Sequence, residues 1–216
     1  MHIVPRMETG GVEESTRLLL QGLSAHGLQV VLITAGGSIC EHLRNVGIPI
    51  YKAPVHSKNP LVQLLNIFRI AKVIKSEGAS IIHTHSRAPA WSAFFAAIIT
   101  NSKTVTTFHS FYGYNLIKHH YNKIMVQSDA TVVPSSALLA HVQDKYGADR
   151  HRVSHIPHFT NTPLSSSHQE TQLFRELYNI PKDATVFAFI ARPTRWKCHN
   201  FLIETLGAFT EKNICL

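Results

Sequence analysis

Four stretches of the chain carry side chains that handle anions or protons. Thr9-Gly10-Gly11-Val12-Glu13 sets paired glycines between a first apolar run and a helical pattern. Glycine lets the backbone approach a ligand closely, and a helix start offers unpaired N–H groups to negative charge. A plain tight turn reads the same way. His83-Thr84-His85 spaces two imidazoles so that both point to one face of a strand, which suits zinc. No carboxylate or thiolate lies near in sequence to complete a ligand set, and pairs arise by chance among 15 histidines, so no metal site is expected. His119-His120 face different ways on a helix and read as surface residues. Thr106-Thr107-Phe108-His109-Ser110 ends an apolar run on a histidine, a group that accepts a proton or donates to a bound hydroxyl. A histidine satisfied by backbone at the rim of a sheet is the alternative. In FIARPTRWKCHN, residues 189–200, Arg192 and Lys197 leave an apolar run where a helix begins. A planar guanidinium fork, an ammonium and a helix amino terminus together suit a diphosphate, against the alternative of a solvated basic turn. Neither a Gly-x-Ser-x-Gly elbow nor a Ser/His/Asp triad is present.

These residues sit where strands and helices alternate. Strands are predicted at His2–Val4, Gln29–Thr34, Ile48–Lys52, Ser80–Thr84, Lys103–His109, Thr131–Pro134 and Val153–Ile156. Helices are predicted at Val12–His26, Ile39–Asn45, Leu61–Lys75, Ala88–Thr100, Leu116–Met125 and Ala137–Tyr146. In the first helix Val12, Thr16, Leu19, Leu20 and Leu23 share one face and Gly27 ends it; Asn59-Pro60 opens the third as cap and first-turn proline. Such alternation with short connections implies an α/β fold: a Rossmann-like parallel sheet covered by helices on both faces. Ligands of these sheets gather beyond the carboxyl ends of the strands, where Met7–Gly11, His83–Arg87 and His109–Tyr112 fall. The first domain is placed at residues 1–156 and a Pro/Ser/Thr/Asn-rich linker at 157–170. An incomplete second α/β domain at 171–216 is expected to hold helices at Thr171–Tyr178 and Asn200–Phe209 and a single strand, Thr185–Ile190.

Composition narrows the classes. An apolar share of 44% with mean hydropathy +0.01 gives enough material for a packed core. The net charge of +8 favours an anionic partner, but the basic residues are scattered and no nucleic-acid-binding spacing occurs. Cys40, Cys198 and Cys215 form no CxxC pair and read as reduced thiols, which implies a cytoplasmic setting. No signal peptide is read in Met1-His2-Ile3-Val4, and the apolar stretch Ala88 to Ile99 is too short for a bilayer. Membrane contact is therefore expected to be peripheral, on the inner face, with Asn115–Met125 as an amphipathic candidate that also suits a core helix.

The order Thr9-Gly10-Gly11-Val12-Glu13, then Ile82-His83-Thr84-His85-Ser86-Arg87-Ala88-Pro89-Ala90-Trp91, then Thr106-Thr107-Phe108-His109, then Arg192-Pro193-Thr194-Arg195-Trp196-Lys197 resembles the GT-B-fold family 4 glycosyltransferases. Within that family it is similar to the bacterial sugar transferases of envelope polysaccharide and lipopolysaccharide assembly. The resemblance implies two Rossmann-like domains facing across a cleft, the first taking the acceptor and the second a nucleotide-sugar. It implies transfer of a sugar from a nucleoside-diphosphate donor to a lipid-linked or polysaccharide acceptor, with retained configuration, no cofactor and no metal. Gly10 and Gly11 would lie against the donor diphosphate or the acceptor, and His109 beside the transferred sugar. Arg192 and Lys197 would hold the diphosphate, with Ser86 and Arg87 on the acceptor side.

The sequence also departs from the family pattern. Cys198 stands where the family has glycine after the lysine. Ile156-Pro157-His158-Phe159-Thr160-Asn161 lacks the usual acid. The stretch with two glutamates eight residues apart, which grips ribose and sugar in the family, is expected beyond Leu216. A weakly active or noncatalytic remnant, or an interaction module, is the alternative to a working transferase. A sugar-nucleotide epimerase would need cleft carboxylates that are not found.

Overall fold

The computed structural model describes residues 1–113, 115–159, 166–209 and 214–215, the Trp196 side chain aside. Two compact units divide the chain, Met1–Asn161 and Thr162–Leu216.

The first unit alternates β1 (His2–Ile3), α1 (Gly11–Ala25), β2 (Leu32–Thr34), α2 (Ile39–Asn45), β3 (Ile50–Lys52), α3 (Pro60–Glu77), β4 (Ile81–Thr84), α4 (Arg87–Thr100), β5 (Lys103–Thr107), α5 (Leu116–Lys123), β6 (Ala130–Val133), α6 (Ser136–Tyr146) and β7 (Val153–His155). The seven strands form one parallel sheet in the order β3-β2-β1-β4-β5-β6-β7. The signals at the helix ends work as their chemistry requires. The Asn59 side chain accepts from the Leu61 N–H at 2.9 Å, Pro60 supplies the first turn, and Gly78 closes α3 in the left-handed region.

Period-two alternation sends Ile3, Ile33 and Ile82 to one face of the sheet. There they pack with Ile70 and Ile74 of α3 and Ala93, Ala96 and Ala97 of α4. Farther along the sheet, Phe108 and Val133 meet Met125, Leu138, Val142 and Tyr146. On the opposite face Val4 and Leu32 pack under Leu20, Met7, Cys40 and Leu43. Each fully buried aliphatic or aromatic side chain here stabilises the unit by about 1.5–3 kcal/mol.

Helical cover over this second face is narrower than the alternation implies. The face of β4–β6 turned away from α3 and α4 carries Ile81, His83, Val105, Thr107 and Val132. With His85, His109 and Ile156 these line a groove of about 580 Å³ flanked by Thr16, Leu19 and Leu23 of α1. Ile81 and Ile156 are half exposed there. Helix α5 stops at Lys123 and gives way to a 3-10 turn, Ile124–Val126, whose Ile124 and Met125 are buried. His119 is not a plain surface residue, since its ring stacks on Tyr146 with centroids 5.0 Å apart.

In the second unit α7 (His168–Leu177) starts with a capping box between Ser167 and Glu170. The run Thr185–Ile190 pairs over less of its length than its composition predicts. Among the described residues only β8 (Thr185–Val186) of that run is a strand, paired in parallel with β9 (Ile214–Cys215). That partner also corrects the expectation of a lone strand. Helix α8 (His199–Gly207) follows a 3-10 turn, Arg195–Lys197. No helix of the described residues is long and apolar enough to cross a membrane.

Candidate functional site

Because every strand of the large sheet runs the same way, the β1–α1, β4–α4 and β5–α5 loops all leave from one end. Strand β1 continues to β2 on one side and has β4 on the other, so the topological switch point lies between β1 and β4, where open α/β sheets hold ligands. Gly10 lies there in extended backbone as the cap of α1, and Gly11 is the first helical residue. No atom lies within 4 Å of where a Gly11 side chain would begin, and at Gly10 only the end of the Glu13 side chain would be met. The helix start is thus open to an incoming group. Neither glycine is among the residues lining the sheet-face groove.

A glycine the motif reading passed over shapes this loop. Gly37 has φ +142, and a Cβ there would fall 2.2 Å from the Met7 carbonyl. The β2–α2 loop can therefore press on the β1–α1 loop, fixed by Met7 N–H to Gly36 O at 2.8 Å and Ile39 N–H to Met7 O at 3.0 Å.

His109 follows β5 and stands inside a row of imidazoles. Its Nε2 shares a hydrogen bond with His85 Nδ1 at 3.1 Å, and its Nδ1 lies 3.5 Å from Nε2 of His158, whose ring is stacked at 7°. His85 Nε2 in turn meets His2 Nδ1 at 3.2 Å, and His83 Nε2 meets Thr107 Oγ1 at 2.7 Å. A neutral imidazole has one N–H and one lone pair, so the four linked rings must all donate in the same direction along the row. Burial makes them neutral: it holds His83 down at about 4 and, with the neighbouring His158, His109 at about 3. Burial also drives His2 and His85 well below the ordinary imidazole range. Both His109 nitrogens are engaged, and the contact with His158 is the longer of the two.

Two of these rings escaped the motif reading. His83 and His85 were visible as a pair, but His2 reaches them only because β1 pairs with β4 in the register His2↔His83. In space a third histidine joins that pair: the ligand atoms of His2, His83 and His85 lie within 4.8 Å of one another. His158 stands in the linker motif whose usual acid is lost at Asn161, and nothing in the motif marked the histidine itself.

Ser86 caps α4 in extended backbone, without a side-chain bond to the helix. Arg87 is held within its own unit. Its guanidinium lies 4.1 Å over the Tyr112 ring and donates to Asn122 Oδ1 at 2.8 Å, and the fully buried Asn122 donates onward to the Tyr146 hydroxyl at 3.1 Å. That network makes Arg87 a packing residue as it stands. Arg87→Ala is expected to cost about 2–3 kcal/mol by leaving the Asn122 oxygen unpaired, and Arg87→Lys is expected to recover little of it. Urea denaturation checks this; a loss under about 0.5 kcal/mol, well below the cost of stranding a buried acceptor, would contradict it.

In the second unit Arg192 is exposed after the apolar run, and Lys197 ends the 3-10 turn just before α8. Cys198 caps α8 at φ 58, ψ 37, in the left-handed region that favours glycine. The conformation expected of a glycine is kept here by a cysteine.

The seven-stranded Rossmann-like sheet matches the amino-terminal domains of GT-B glycosyltransferases. Residues 9–163 match Glycosyltransferase Family 4, and the chain belongs to that family. Among solved structures it is similar to a glycosyltransferase from Rickettsia africae ESF-5 at 30% identity and TM-score 0.80, covering 95% of this chain and 56% of that one. It shares its fold with Anabaena Alr3699/HepE in complex with UDP and glucose (15% identity, TM-score 0.80, 99% and 58% covered). It shares it too with WaaG, a glycosyltransferase involved in lipopolysaccharide biosynthesis (13%, 0.69, 100% and 61%). The chain thus spans between 56% and 61% of the length of these structures. A search of curated proteins gave no match.

Proposed function

We propose that the chain is part of a glycosyltransferase that takes a sugar from a nucleoside-diphosphate donor and passes it to a lipid-linked or polysaccharide acceptor with retained configuration. The observation that carries this reading is His109 at the carboxyl end of β5, at the same sheet end as the open amino terminus of α1. In this reading His109 bonds a hydroxyl of the transferred sugar, and Gly10 and Gly11 admit donor or acceptor oxygens to the start of α1. Arg192 and Lys197 take the diphosphate. As the bond to the anomeric carbon breaks, charge grows on the leaving phosphate, and fixed cations stabilise it without a metal at the diphosphate. The UDP-bound HepE fold supports a nucleotide-sugar as the ligand class. Ser86 remains an acceptor-side candidate, and Arg87 joins it only by leaving Tyr112.

UDP and UMP are suitable probes. Isothermal titration of the 216-residue chain is expected to show UDP binding at least about tenfold tighter than UMP, since each charged phosphate contact is worth about 1.5–3 kcal/mol. Equal affinities would contradict a diphosphate site.

Peripheral attachment belongs to the same proposal. Leu116 and Ile117 at the start of α5 are 74% and 82% exposed beside Lys118, and Phe111 is 59% exposed in the preceding loop. An apolar tip next to basic residues suits an anionic lipid surface. Ile117→Glu is expected to cut flotation with phosphatidylglycerol vesicles several-fold; equal flotation of variant and wild type would count against the attachment.

A further inference from the structure

We propose that His2, His83 and His85 form a binding site for one divalent transition-metal ion of the zinc class. The fold makes the site: parallel pairing sets His2 beside His83, and period two returns His85 to the same face one step on. The three ligand atoms all lie within 4.8 Å of one another, and His2 Nδ1 and His85 Nε2 are already 3.2 Å apart. A tetrahedral ion with nitrogen ligands at about 2.0–2.1 Å holds them about 3.3 Å apart, so the cluster needs to close by at most about 1.5 Å at its widest. One contact is at that spacing without an ion.

The chemistry of the donors agrees. Imidazole nitrogens are common ligands of such an ion. Three imidazoles plus a solvent ligand form a recurring zinc set, and the rings line the open groove of about 580 Å³, which gives an ion a path and a water a place. Outer partners are in position to orient the ligands: Thr107 Oγ1 on His83 at 2.7 Å, and His109 Nε2 on His85 Nδ1 at 3.1 Å. The opposing influence is the Met1 amino group, bonded to Ile81 O at 2.9 Å, whose charge acts on both His2 and His83. An ion here would tie β1 to β4 and fix which nitrogen of His85 carries its proton, so that His85 donates to His109.

Titration of the 216-residue chain with Co²⁺, followed by its visible absorption, tests the site. One equivalent with the intense bands of tetrahedral cobalt is expected, displaced by Zn²⁺. His83→Gln and His85→Asn are expected to weaken binding roughly 100-fold or more, while His151→Gln, on an exposed loop residue, leaves it unchanged. Unchanged affinity in the two cluster variants overturns the proposal. Should those variants fail to fold, X-ray absorption of the wild-type chain loaded with one Zn²⁺ decides. Three imidazole nitrogens are expected, and thiolate sulfur or an oxygen-only shell overturns the site.

Discussion

Lowering the pH from 7 to 5 is expected to remove about 4 kcal/mol of stability through His83 and His109 alone. Burial lowers both in the folded chain, to about 4 and about 3, whereas an unfolded imidazole titrates near its ordinary value of 6.5. Between those values the unfolded chain binds protons that the folded chain refuses, so stability rises with pH. The contribution is complete above about 6.5 and is lost as pH falls below it, by about 2 kcal/mol per histidine at pH 5. His2 and His85, lowered by burial first and by neighbouring charge such as that of His83, act in the same direction. Most carboxylates are still ionised at pH 5, so the loss belongs to the imidazole row. Urea denaturation at pH 7, 6 and 5 measures it, and His109→Gln should flatten the pH dependence by about 2 kcal/mol. A stability independent of pH over that range would show that these rings are not buried as described.

Phe108→Ala is expected to cost about 3–5 kcal/mol, the range for deleting a buried aromatic side chain. Phe108 is fully buried, with ring centroids 4.4 Å from Tyr112 and 5.5 Å from Tyr146. It precedes His109 in the chain, and Tyr112 is the ring on which Arg87 rests. The cavity left by Ala would therefore loosen both the position of His109 and the footing of Arg87. Phe108→Leu, which keeps much of the volume, should lose less than half as much. Thermal or urea unfolding separates the outcomes; a cost near about 1 kcal/mol would mean that the cluster collapses into the space.

Much of the fold could be read from local chemistry. Asn59-Pro60, the glycine after α3 and the β-branched runs fix helix starts, stops and strands within a few residues, because each acts through its own backbone. What local chemistry omits is what lies opposite. His83 and His85 stand out as a pair, but His2 joins them through pairing between segments about 80 residues apart, which no spacing rule exposes. Arg87 looks like a ligand-binding cation at a strand end, yet Tyr112 and Asn122 claim it from a distant loop and α5. Thr185–Ile190 has the composition of a full strand, yet among the described residues only Thr185–Val186 of it pairs. Composition likewise shows that helices alternate with strands, but not how far α1 reaches across the second face of the sheet.

The central claim is that the cations following β8 bind the pyrophosphoryl part of the donor. Titration of UDP into the 216-residue chain, its Arg192→Ala variant and its Lys197→Ala variant tests that claim most directly. Loss of a charge-assisted phosphate contact costs about 1.5–3 kcal/mol, so each variant should bind UDP at least about tenfold more weakly, with its fold intact by circular dichroism. Measurable UDP binding that neither substitution changes would contradict it.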